Sequence, residues 1–271
     1  MKEHLLIRNL LPFSCLFALV VVLLLASSTS VQATHIRAGD ITAKRDTTPN
    51  PNPRRFFFTM VIYRDTGGVQ MENPVTINNG NLGDISVNVA QVIPIGNQTE
   101  KHIFRWQYTY PADGTYTVSW KGVNRNPNIQ NLQAPSDQHS FHIETTININ
   151  SLRGFNSTPV LTVDPVDIAL VGRKWVHNPG AFDADGDSLA FKFVVPRRRD
   201  ANENVINVPG FVMPNTRFNC ASPTNPSTFT LDPETGQLEW DQPCIRGEYN
   251  IAFVVEEWRV SPGGGAVKLG E

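Results

Sequence analysis

The chain has 271 residues, enough for two domains of ordinary size that each bury a core. Its 23 basic and 25 acidic residues leave a formal net charge of −2, which excludes the strongly basic surface of a nucleic-acid-binding protein. The local signatures of common enzymes, H-E-x-x-H, G-x-S-x-G, a P-loop and a dinucleotide fingerprint, are absent, so the sequence reads as non-enzymatic.

Lys2 and Arg8 precede an apolar run from Leu10 to Ala26, followed by small residues ending Val31-Gln32-Ala33. That is the anatomy of a secretory signal peptide over residues 1–33, with cleavage after Ala33 and a mature chain starting at Thr34. An uncleaved anchor is the competing reading, although the run is short for a bilayer span. Cys15 lies inside the run without the small residue just before it that a lipoprotein signal carries, so no lipidation is expected. Cleavage removes Lys2, Glu3 and Arg8, turning 23 basic and 25 acidic residues into 21 and 24. No later apolar run is long enough to span a bilayer. The protein is therefore expected to be exported, to the outer cell surface or beyond, with no transmembrane segment after cleavage.

From Thr34 onward strand and turn signals alternate with no helical period. His35–Ile41 opens a first domain over 34–152; Arg55–Arg64 reads as a long central strand, and Val75–Ile77 and Ile85–Ile95 as two more around the Asn78-Asn79-Gly80 turn. Along His102–Tyr110 the residues Phe104, Trp106, Tyr108 and Tyr110 share a face, and Tyr116, Val118 and Trp120 share one in the strand after the Pro111–Gly114 turn. Such rings either fill the core or form a sugar-stacking platform; core is the simpler reading, because a sandwich must bury one face of every strand. Phe141–Ile149 closes a set of about seven strands that fits an immunoglobulin-like sandwich. His142 and Glu144 share a strand face while His139 points to the other, so His142 and Glu144 read as a satisfied surface pair and not as part of a zinc site.

A polar link over residues 150–157 leads to a second sandwich over 157–271, with strands expected at Val160–Val163, Ile168–Val171, Trp175-Val176, Leu189–Val195, Phe229–Leu231, Gln237–Trp240 and Glu248–Trp258. Arg197-Arg198-Arg199 reads as a solvated loop. Cys220 and Cys244 are the two mature cysteines; one disulfide is the simplest state in an exported protein, two buried thiols the alternative. The closing Ala266–Glu271 looks like a new strand cut short, as in a fragment of a longer protein.

The densest chemistry is Asp183-Ala184-Asp185-Gly186-Asp187, three carboxylates at alternate positions. Like charges this close repel unless a cation sits among them, and a hard ion that takes oxygen ligands, calcium above all, suits a loop that Gly186 lets curl. An exposed turn is the competing reading. Asp183 with Glu256 or Glu257 as a glycosidase carboxylate pair finds no support in the sequence.

This acidic loop, then Leu231-Asp232-Pro233-Glu234-Thr235-Gly236-Gln237-Leu238, then Gly247-Glu248-Tyr249 before a last apolar strand, resembles bacterial cadherin-like and immunoglobulin-like modules. The N-terminal Thr34–Ile41 with Tyr63-Arg64-Asp65 is similar to the start of gliding motility-associated surface proteins of Bacteroidota. The resemblance implies a calcium-rigidified module for adhesion or spacing at the cell surface, with a cell-surface protein or polysaccharide as partner. It assigns Asp183 and Asp185 as calcium ligands, with Asp187 added, Asn156 from the linker and Glu248 as a distant match. A carbohydrate-binding module and the accessory region of a larger secreted hydrolase are the rival readings.

Overall fold

The computed structural model describes residues 34–271 except 81, 151, 218–226 and 261–262. The expected signal peptide and Cys220 lie outside the described residues. The described chain is all-β. The first half contains β1 (Ile36–Arg45), β2 (Arg55–Asp65), β3 (Val75–Asn79), β4 (Asp84–Val87), β5 (Val89–Gly96), β6 (Thr99–Thr109), β7 (Gly114–Gly122) and β8 (Phe141–Ile149). The second contains β9 (Val160–Leu161), β10 (Trp175–His177), β11 (Ala181–Phe182), β12 (Ser188–Val194), β13 (Arg197–Arg199), β14 (Val205–Asn207), β15 (Thr228–Leu231), β16 (Leu238–Asp241), β17 (Ala252–Val260) and β18 (Ala266–Gly270).

In the first half a four-stranded sheet, ordered β1-β2-β6-β5, packs on β8, β7, β3 and β4 of a second sheet. The core between them follows from the period of two along β2, where Phe56, Phe58, Met60 and Ile62 are buried while Phe57 is exposed. Phe58 stacks on Trp106 with centroids 5.1 Å apart, and Tyr110 meets Tyr116 at 4.2 Å. Trp120 is buried in this core and Trp106 and Tyr108 pack against it half-buried, an arrangement that favours the core reading of these rings over a flat exposed sugar-stacking platform.

The expected single strand Ile85–Ile95 is two strands in different sheets. Up to Val87 it pairs with β3, and from Val89 it pairs with β6, so the chain turns a corner of the sandwich at Asn88. The expected strand Ile168–Val171 is a loop ending in a turn; its apolar side chains are exposed, and flanking Pro165 and Gly172 favour turns over pairing. Arg197–Arg199, expected as a loop, is a strand paired with β14. Glu248 makes only an isolated bridge to Ile129, and the last long strand begins later, at Ala252.

One sheet crosses the expected domain boundary. Its order is β12-β17-β18-β8-β7-β3-β4, with β18 inserted between a strand of each half. Gly270 pairs with Ile147, and Thr146 and Glu271 exchange two backbone hydrogen bonds at 2.7 and 3.2 Å. Of the other strands of the second half, β10, β16 and β15 form a three-stranded sheet around Phe229, Leu238 and Trp240, while β9 pairs with β11 and β13 with β14. The linker is held too: Thr158 and Ala43 exchange a backbone hydrogen bond and a side-chain one, both at 2.8 Å, along the edge of β1. Residues 33–271 accordingly form one compact unit.

Candidate metal centre

The acidic loop joins β11 to β12. Asp183 closes it, because its Oδ1 accepts from the amides of Asp185 at 2.9 Å and Asp187 at 2.8 Å. Gly186 supplies the left-handed residue of the turn, with φ of 83°. The same geometry leaves Asp183 Oδ2 buried with no hydrogen-bond partner.

The three aspartates of the loop then part company. Asp185 turns toward the first half, where its Oδ1 accepts from Arg45 Nε at 2.9 Å and its Oδ2 from the Ser157 amide at 2.7 Å. Asp187 is bound by both Nε and a terminal nitrogen of Arg259, which also reaches Asn156 Oδ1 at 2.9 Å. Asp183 receives only neutral amide donors.

A fourth carboxylate completes the site. Glu257, on β17, is 0% exposed, and its ligand oxygen lies within 4.8 Å of those of Asp183 and Asp187. Asn156 Nδ2 donates to its Oε2 at 2.7 Å, while Oε1 has no partner. Burial, and next the neighbouring Asp183 carboxyl, push Glu257 up to about 9. Neither Asp183 nor Glu257 has a cationic side chain bound to it among the described residues. Two orphaned buried oxygens on adjacent acids require either a shared proton or a cation. The donor set is all oxygen, which fits a hard divalent ion and not zinc or copper.

Of the ligands expected from sequence, Asp183 and Asp187 converge, Asp187 with both of its oxygens bound by Arg259. Asp185 is engaged by Arg45 and the Ser157 amide, and Asn156 supports Glu257 through its amide nitrogen. Glu248 is engaged elsewhere, by Asn126 Nδ2 at 2.6 Å and by Arg37 at 3.6 Å. The glutamate that lies beside Asp183 and Asp187 is Glu257 and not Glu248. The signal for it was present: if Phe253 and Val255 face inward along β17, alternation turns Glu257 inward as well. Pairing Asp183 with Glu257 does not make a glycosidase site, since a side chain with no exposed surface cannot meet a polymeric substrate.

His142 and Glu144, expected as surface groups, are a partly buried pair; His142 Nε2 donates to Glu144 at 2.8 Å, and this bond together with Arg197 holds Glu144 below the usual carboxylate range. No helix among the described residues is long and apolar enough to cross a membrane. Comparison with known proteins finds no matching protein family, no matching curated protein and no matching solved structure.

Proposed function

We propose that the chain is a non-enzymatic, exported surface module in which one calcium ion among Asp183, Asp187 and Glu257 stiffens the junction between its halves, for adhesion or spacing. Cell-surface protein or polysaccharide is the partner class this reading takes from the sequence resemblance, as is a link to gliding motility. The observation that supports the calcium reading is the pair of buried oxygens, Asp183 Oδ2 and Glu257 Oε1, that no N–H or cationic donor reaches and that must share either a proton or an ion in one cluster of acids.

What an ion supplies there is positive charge and oxygen coordination. What the chain's own residues do is hold three structural elements to one point: Asp183 and Asp187 come from the acidic loop, Glu257 from β17, and Asn156 from the linker between the halves. Asp185 extends the tie to β1 through Arg45. Ion binding at such a meeting point restricts relative motion of the segments that meet there. Calorimetric titration of the isolated chain with calcium tests the reading. One saturable site, lost in Asp183→Asn and in Glu257→Gln, is the expected result; no heat of binding in the wild type overturns it.

A further inference from the structure

Val166-Asp167-Ile168-Ala169-Leu170-Val171 has the composition of a strand but no partner strand among the described residues. Positions 166–170 run without turn or bend. None of the amides at 166–171 donates to another backbone group among the described residues; that of Ile168 bonds only the Asp167 carboxylate beside it, at 2.7 Å. Of the carbonyls only that of Leu170 is engaged, by the Arg173 amide at 3.1 Å. Ile168 and Leu170, two apart, are 62% and 67% exposed, and Val171 is 50% exposed. A row of open backbone groups beside apolar side chains is a template for a further strand.

The segment is held at both ends. Asp167 accepts from Trp175 Nε1 at 3.2 Å near its start, and the Gly172 amide donates to the Pro243 carbonyl at 2.7 Å just past its end. Its charge runs in one direction, with Asp164 and Asp167 at the start and Arg173 and Lys174 at the end. Asp164 and Lys174 are paired within the chain, to Lys101 and Glu239. Arg173 is exposed and forms no ion pair among the described residues, and the one ion pair of Asp167 there is a 3.4 Å contact with His177. A polarity of this kind complements itself when two segments run antiparallel, because the acidic start of each then meets the basic end of the other. A parallel neighbour of the same sequence would set like charges together.

We infer that this segment is an interface with a second copy of the chain, the two segments pairing antiparallel across a twofold axis and burying Ile168 and Leu170 between them. The strand expected from the sequence is thereby completed between molecules. None of the acids of the candidate metal centre belongs to the segment, so self-pairing does not depend on calcium. The test is analytical ultracentrifugation of the isolated chain over a concentration series reaching about 100 µM, in reductant so that cysteine cross-links contribute nothing. A reversible monomer–dimer equilibrium is expected, and hydrogen exchange of the wild type should slow at the 166–170 amides as the dimer forms. Leu170→Lys, at an exposed side chain, sets two lysines near each other and should weaken the dimer at least about tenfold without changing the melting temperature of the monomer; Arg173→Glu should weaken it too. A monomer throughout the series overturns the proposal and leaves the segment to a different protein's strand. A dimer whose 166–170 amides exchange as fast as the monomer's places the interface elsewhere and overturns it equally, whether or not the variants fold.

Discussion

Gly270 pairs in register with Ile147, and this pair couples the last described strand to the first half of the chain. The approach is close: a Cβ on Gly270 would lie 2.5 Å from the Thr146 carbonyl oxygen. The two halves are therefore joined through a sheet and not only through a linker, and Glu257, which pairs with Gly270 across β17 and β18, sits beside that joint.

Replacing Gly270 by Val should break the joint. The backbone must move away from Thr146, and a cost of about 2–4 kcal/mol follows from overpacking and lost sheet hydrogen bonds. Denaturant unfolding measures the loss. Hydrogen exchange should show it concentrated at the Thr146 and Glu271 amides, which bond across the joint.

Glu257→Gln retains an acceptor for Asn156 and carries no charge, as does a protonated glutamic acid. In chelator its melting temperature should stay near that of the wild type, while the rise caused by calcium disappears. Asp185→Ala should do the reverse: it loses the bonds to Arg45 and Ser157, for about 1–3 kcal/mol of stability, yet keeps the calcium-induced rise because Asp185 lies outside the cluster. Thermal melts of the two variants with and without calcium separate these roles.

Asp40 makes stability depend on pH. Burial raises it to about 7 from an ordinary value of 3.8; Lys101 opposes the rise and Asp164 adds to it, while Tyr63 donates to Asp164 beside them. The folded state thus holds a proton that the unfolded chain gives up. The associated stabilisation is complete below about pH 4, declines as pH rises toward 7, and is gone above it, a change of roughly 2–4 kcal/mol. Asp40→Asn should flatten this slope and be more stable than the wild type at pH 8, as equilibrium unfolding across the range will show.

Cys244, half-buried on the segment between β16 and β17, is expected to be joined to Cys220. Mass mapping without reductant should recover the linked peptides, and reduction should cost about 3–4 kcal/mol for a loop of this length. Recovery of both as free thiols would refute the pairing.

Much of the strand pattern was legible because side chains alternate with a period of two, as in Phe56, Phe58, Met60 and Ile62. The corner at Asn88 was not, since an apolar run has the same appearance whether it stays in one sheet or crosses to another. Arg197–Arg199 misled for a related reason. Its charge suggested solvent, yet Arg197 binds Glu144 and Arg199 binds Ser119 of the first half, so these side chains brace the two halves.

By itself the sequence determined the all-β character and the crowding of acids at Asp183, Asp185 and Asp187, both of which depend on residues near one another along the chain. Tertiary structure alone decided which acids meet. It sent Asp185 to Arg45 and Glu248 to Asn126, brought Glu257 to Asp183, and placed Ala266–Gly270 inside a sheet shared by both halves. The reason is that these partnerships join residues distant in sequence, and local periodicity carries no record of which strand lies beside which.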